Sequence, residues 1–307
     1  MKLMDTEPLL FTAKDGNSIT YITNLFSATV RFEKPLLVFN YGLVCNFEHF
    51  KYQVEYFEKQ EYPILLHNYR GHYGSTAKEN LSDINFDNIT NDLYELLNFL
   101  PTNNLPYYFI GHSMGVNVTL EFAKKYPSLV KKIILISGPS LPPSQTMFNS
   151  SLMYFLMPLL EAFYAKDPRF LNNFWKQSSK NPLTRHFIMF GGFNRKETSM
   201  DFIKIYLKKL SELPMNLFFK LFFEMDQHEV MGMASNVECP VLIMGGDKDR
   251  MIPNYYQHLL YEKIENAEFY VIKDGSHVPQ VDFFREANER MDLFFRQNLD
   301  VCIPREV

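Results

Sequence analysis

The pentapeptide Gly111-His112-Ser113-Met114-Gly115 is the part of this sequence best equipped for chemistry. An apolar run, YYFI, precedes it and a helical pattern, VNVTLEFAKKYP, follows, so the serine reads as the tip of a strand-to-helix turn. Such a turn is sharp and its central backbone strained, and residues without Cβ on either side let helix and strand approach. The serine Oγ is lifted clear of the sheet. The N–H of Met114 falls at a helix start and can donate to an oxyanion.

A serine hydroxyl is a poor nucleophile without a base, and the base needs an acid to orient it. Both follow in the chain. After the apolar run PVLIMG come Gly246-Asp247-Lys248-Asp249-Arg250-Met251-Ile252-Pro253, which offer Asp247 and Asp249 as the acid. After EFYVIK comes Gly275-Ser276-His277, whose histidine is the candidate base. Both loops lie at the carboxyl ends of strands, the edge on which sites form in parallel α/β sheets. The remaining histidines read otherwise. His49, His186, His228 and His258 lie in helical segments without metal-ligand spacing, and His67 lies on a strand. His112 packs beside the serine.

The elements that would hold these residues alternate. Ser18–Thr23, Pro35–Tyr41, Pro63–Asn68, Tyr107–Gly111, Lys132–Ser137, Pro240–Gly245 and Glu268–Lys273 read as strands. Asn46–Gln60, Phe86–Leu100, Val116–Lys125 and Gln280–Gln297 read as helices. Continuous apolar strands separated by amphipathic helices predict an α/β fold with a mostly parallel sheet covered on both faces. The rhythm breaks between KIILIS and PVLIMG. Residues 146–236 hold 13 of the 29 Phe and 9 of the 15 Met, and no strand stands out among them. This stretch is expected to be an inserted helical cap, with residues 1–145 and 237–307 forming the core; Asp300–Val307 reads as a loose tail.

These features together resemble the α/β-hydrolase superfamily, in its serine esterase/lipase-like branch with an inserted cap, from about Leu36 to Phe295. The resemblance implies the chain order Ser, acid, His. The family's G-x-x-D-x-x-x-P pattern falls on Gly246 to Pro253 and selects Asp249, four residues before the proline; Asp247 is then a turn residue. The second oxyanion donor is implied to be the N–H of Leu43, in Tyr41-Gly42-Leu43, where the family often has His-Gly. A D-x-R-G-x-G-x-S motif resembles Asn68-Tyr69-Arg70-Gly71-His72-Tyr73-Gly74-Ser75, with Asn68 in place of Asp, and implies a structural loop rather than chemistry. The resemblance thus implies ester hydrolysis by Ser113, Asp249 and His277. A thioesterase, a C–C hydrolase, a cofactor-free perhydrolase or a non-catalytic ligand-binding relative are the alternatives.

Composition narrows the classes further. Thirty-one Lys and Arg against 35 Asp and Glu give a net charge of -4, which argues against a nucleic-acid binder. No P-loop, dinucleotide fingerprint or H-E-x-x-H occurs, so no cofactor or metal is implied. Cys45, Cys239 and Cys302 form neither a disulfide framework nor a zinc motif. The first residues lack a signal-peptide pattern, and the longest apolar stretch, 13 residues from Leu152 to Tyr164, is too short for a transmembrane segment. The expectation is a cytoplasmic protein acting on a small, apolar ester; no motif sets an oligomeric state.

Overall fold

The computed structural model describes residues 2–27, 32–102, 104–177 and 180–297. The expected terminal tail lies outside the described residues. Eight strands form one sheet: β1 (Leu9–Thr12), β2 (Ser18–Thr23), β3 (Leu36–Asn40), β4 (Ile64–His67), β5 (Tyr107–His112), β6 (Val130–Ile136), β7 (Val241–Gly246) and β8 (Ala267–Ile272). Their spatial order is β1-β2-β4-β3-β5-β6-β7-β8. β1 and β2 are antiparallel to their neighbours; the six strands from β4 to β8 in that order run parallel.

The apolar strands are buried on both faces, and their period of two sorts them. Leu37, Phe39, Leu66 and Ile134 join one core cluster. Leu36, Val38, Leu65 and Ile133 join the other. Helices cover each face: α1 (Lys51–Glu58), α2 (Phe86–Phe99) and α3 (Met114–Lys125) come early in the chain. Asn85 caps α2 by accepting a hydrogen bond from the Asn88 N–H at 2.8 Å, and the helix stops just before Pro101.

Between β6 and β7 the described residues form helices and no strand: α4 (Pro143–Thr146), α5 (Leu152–Lys166), α6 (Pro168–Gln177), α7 (Pro182–Gly192), α8 (Met200–Glu212), α9 (Met215–Gln227) and α10 (Val230–Ala234). Two small apolar clusters hold this insertion. Met157, Met215, Phe219 and Phe222 form one. Phe193, Phe202, Ile203 and Leu207 form the other, closed by Val278 and Val281 of the core. Much of the Phe and Met in this stretch therefore packs as an ordinary core. Then follow α11 (Asn254–Lys263), α12 (Pro279–Asp282) and α13 (Phe284–Arg296). The closing helix expected as one piece is broken at Phe283, where φ is -120° and ψ is 52°. Among the described residues, no helix is long and apolar enough to cross a membrane.

Candidate active site

The register aligns the carboxyl ends of the parallel strands, with Asn40 beside Gly111, His112 beside Ile136 and Gly246 beside Ile272. Ser113 stands at the first position beyond β5, before α3, with φ 54° and ψ -122°. Few non-glycine residues adopt such a conformation, and the surrounding structure must hold it. The Ser113 N–H donates to the Ile136 carbonyl at 2.9 Å. Close approach explains the flanking glycines: a Cβ on Gly115 would lie 1.9 Å from the Asn40 carbonyl oxygen, and one on Gly111 2.6 Å from the Gly115 oxygen.

Loops from β7 and β8 bring the other two candidates to this point. His277 Nε2 lies 3.1 Å from Ser113 Oγ. His277 Nδ1 lies 2.9 Å from Asp249 Oδ2. A carboxylate only accepts, so Nδ1 carries the proton and Nε2 is left as an acceptor facing the serine. The other oxygen of Asp249 accepts the N–H groups of Met251 at 2.9 Å and Ile252 at 2.8 Å, which fixes the carboxylate. Asp247 points elsewhere, into an ion pair with Lys248 at 3.2 Å.

The loop after β3 runs beside Ser113: a Cβ on Gly42 would lie 2.8 Å from the Ser113 Cβ. The N–H groups of Leu43 and Met114 have no protein acceptor among the described residues. Two residues in this region depart from the family's pattern, and they touch. Tyr41, fully buried, donates its hydroxyl to Asn68 Oδ1 at 2.9 Å. Tyr69 closes the arrangement by donating its hydroxyl to the Tyr41 carbonyl at 2.8 Å. The tyrosine thus anchors the residue before Gly42 to the loop after β4.

His112 is not a base here. Its Nε2–H donates to the His277 carbonyl at 2.9 Å, tying the serine turn to the histidine loop. Burial, reinforced by His277 nearby, holds its pKa well below the ordinary histidine value. Arg70 lies in a buried cluster. It pairs with Asp92 through Nε at 2.5 Å and Nη2 at 2.7 Å, and with Asp83 at 3.2 Å and Asp15 at 2.6 Å through Nη1.

Sequence reasoning missed Asp282. This buried carboxylate accepts the Ser276 N–H at 2.8 Å and the Ser276 hydroxyl at 2.5 Å, and also the hydroxyl of Thr198 from the insertion. It therefore fixes the residue before His277. The signal available was an acid placed one turn beyond the Gly-Ser-His-Val-Pro stretch, behind a proline that starts a helix.

Ser113 and His277 open on a cavity of about 340 Å3, walled by Leu43 and by insertion residues that include Met153, Leu156, Phe174 and Phe218. The lining is mostly apolar, and Ser113 and His277 are among its few polar members.

Comparison with known proteins gives the same architecture. A family model described as alpha/beta hydrolase fold matches residues 35–284. The mouse (Mus musculus) protein ABHD8 is 23% identical over 269 residues, which cover 84% of this chain and 54% of ABHD8. The chain thus spans about half the length of that relative. Among solved structures, a hydrolase from Pseudomonas aeruginosa PA01 superposes with a TM-score of 0.76 at 16% identity, over 95% of this chain and 100% of that one. The esterase EaEST from Exiguobacterium antarcticum gives a TM-score of 0.70 at 16% identity, over 95% and 100%. With a strand-to-helix serine turn at the carboxyl edge of a parallel sheet and a family match over most of its length, this chain belongs to the α/β-hydrolase family.

Proposed function

We propose that the protein is a serine hydrolase that cleaves carboxylic esters of apolar small molecules through an acyl-enzyme. One observation carries this reading: the hydrogen-bonded line from Ser113 through His277 to Asp249, at 3.1 and 2.9 Å, ends in an apolar cavity. Ser113 Oγ attacks the ester carbonyl while His277 Nε2 takes its proton. Asp249 keeps the other imidazole proton on Nδ1 and stabilises the imidazolium that forms. The N–H groups of Leu43 and Met114 receive the oxyanion; losing one such donor costs about 3–4 kcal/mol of transition-state stabilisation. The imidazolium protonates the leaving alcohol. Water, deprotonated by the same nitrogen, then attacks the acyl-enzyme and frees the acid.

Residues 146–236 act as the cap over this site and choose the acyl group. Each methylene buried in the cavity contributes about 0.8 kcal/mol, or roughly fourfold in kcat/KM, until the space is filled. One of the structurally similar proteins is an esterase, which fits this reading.

A series of p-nitrophenyl esters of graded chain length tests it, alongside labelling by a fluorophosphonate probe. Medium-chain esters are expected to exceed acetate in kcat/KM, and Ser113→Ala is expected to abolish both turnover and labelling. A profile that falls from acetate onward would refute selection of an apolar acyl group by the cap. A folded protein that the probe leaves unlabelled would point instead to a ligand-binding protein on the same fold. Thioesters in the same panel separate an ester from a thioester preference, because both present a carbonyl to the same serine.

A further inference from the structure

α5 is apolar on two sides. Met153, Met157, Leu160 and Tyr164 face inward onto α9 and its neighbours. Leu152, Phe155, Leu159 and Phe163, spaced three, four and four residues apart, lie outside and are 54–69% exposed. A helix that is apolar all round is ordinarily buried. α6 extends the outer stripe with Phe170 and Phe174, one turn apart and both exposed. Of the 18 exposed large apolar side chains among the described residues, nine lie between 152 and 190. A concentration of this kind marks a docking surface rather than scattered surface residues.

Charge identifies the partner. Between 152 and 190 the chain carries Lys166, Arg169, Lys176, Lys180 and Arg185 against only Glu161 and Asp167, although its overall net charge is -4. Cations interleaved with exposed Phe and Leu are what an interfacial helix presents to anionic headgroups. A second copy of this chain would instead set like charges against each other across a two-fold axis. The stripe is also continuous with the cavity. α5 contributes Met153 and Leu156 to the cavity wall and α6 contributes Phe174 and Trp175, so Phe174 is both exposed and cavity-lining.

We propose that α5 and α6 dock on a lipid bilayer with anionic headgroups, and that the site draws its ester from that layer. The docking stands on the surface alone; the lipid-ester substrate rests on the hydrolase reading above. Docked through the outer stripe, the protein brings the mouth beside Phe174 against the acyl region, so an apolar ester passes from lipid to cavity without crossing water.

The test uses the Ser113→Ala protein, which cannot consume the lipid, sedimented with vesicles of phosphatidylcholine alone or mixed with phosphatidylglycerol. Binding is expected to be at least about tenfold tighter to the anionic vesicles and to weaken with salt. The only tryptophan, Trp175 on α6, gives a second readout: brominated lipid in the mixed vesicles should quench its fluorescence. The Phe155→Glu/Phe163→Glu double variant should lose binding and quenching. In the wild-type background it should keep kcat/KM on a short, water-soluble ester within about twofold, since neither residue lines the cavity. Lys166→Glu/Arg169→Glu should weaken binding by at least about tenfold. Circular dichroism and the melting temperature show that both variants remain folded. No binding to either vesicle, equal binding to both, or a dimer that the Phe variant splits would overturn the proposal. Vesicle binding by a wild-type protein that the fluorophosphonate probe leaves unlabelled would support docking and sink the hydrolase reading. Hydrolysis without vesicle binding would do the reverse.

Discussion

Replacing Asp249 by asparagine removes one charge and changes one atom, and the structure dictates how the new amide must sit. Oδ1 of Asp249 accepts two backbone N–H groups, from Met251 and Ile252, at 2.9 and 2.8 Å. An amide NH2 turned toward those donors would meet them head-on, so the asparagine keeps its oxygen there. Its NH2 then faces His277 Nδ1, which lies 2.9 Å from the present Oδ2. Nδ1 must become an acceptor, and the imidazole proton moves to Nε2. That proton points at Ser113 Oγ, 3.1 Å away, and the base is lost. A wrong tautomer of this kind costs about 10,000-fold in kcat, or roughly 5.5 kcal/mol of barrier. Asp249→Ala, which leaves Nδ1 free to keep its proton, should lose less. Asp247→Asn should stay within about threefold, because that carboxylate faces Lys248 in a solvent-facing ion pair. Steady-state hydrolysis of a p-nitrophenyl ester, normalised to folded protein by circular dichroism, measures all three. If Asp249→Asn keeps more than about a tenth of the activity, or Asp247→Asn falls as far, the tautomer argument and the choice of acid both fail.

Gly42→Ala places a methyl 2.8 Å from the Ser113 Cβ and 3.2 Å from His112 Nδ1, so the Leu43 loop must shift. The expected result is a fall of about 100-fold in kcat with little change in melting temperature, and unchanged kcat would remove Leu43 from the oxyanion site. Acid should destabilise the fold. Burial lowers the pKa of His49 and His67 to about 3 and of His72 to about 4, against about 6.5 when unfolded, so the unfolded chain binds more protons between these values. Stability is then full above the unfolded value and is lost as pH falls toward the folded ones. The three together should remove about 4 kcal/mol between pH 7.5 and 5.5, read from urea midpoints, and a flat midpoint would contradict their burial as neutral groups. Tyr41→Phe and Asn68→Ala should each destabilise, and their double-mutant cycle should return a coupling of about 1 kcal/mol from the 2.9 Å hydrogen bond; zero coupling would mean that the pair does not hold the loop.

The candidate nucleophile and its candidate partners were legible because each follows a continuous apolar strand, and such strands end at one edge of a parallel sheet. Ser113 and His277 needed only that rule and their order in the chain; the choice of Asp249 over Asp247 on the same loop came from the resemblance to the family's G-x-x-D-x-x-x-P pattern. Contacts between distant residues carried no comparable signal. Tyr41 and Asn68 each depart from the family's pattern, but 27 residues separate them, and only the pairing of the β3 and β4 strands brings them into contact. Arg70 reads as one more loop cation. Its meaning comes from three carboxylates on separate segments, which the fold gathers around it: Asp83 and Asp92 are buried with the guanidinium, and Asp15 reaches it from the surface. β1 escaped notice because four residues, of which only Phe11 is buried, are too few to show a period. Lys132 reads as the polar start of a strand, yet it is buried and donates to the carbonyls of Phe294, near the end of α13, and Gln297, just beyond it, both at 2.7 Å. A cation at a helix C-terminus is favourable for electrostatic reasons that no local pattern around Lys132 reveals.

The insertion marks the limit of composition as a guide. Thirteen Phe and nine Met announce apolar helices but not which of their sides are covered. In α9 both apolar sides are covered, Met215, Phe219 and Phe222 by the small core of the insertion and Leu217, Leu221 and Met225 by the main core. In α5 the same residue types occupy two sides, and the fold covers only one. Periodicity could have raised this question, since Leu152, Phe155, Leu159 and Phe163 already trace a second stripe beside Met153, Met157, Leu160 and Tyr164. It could not answer it, because burial is a property of what the rest of the chain leaves uncovered. The outer stripe is therefore the place where sequence pattern and fold disagree most, and a disagreement of that size asks for a partner outside the chain.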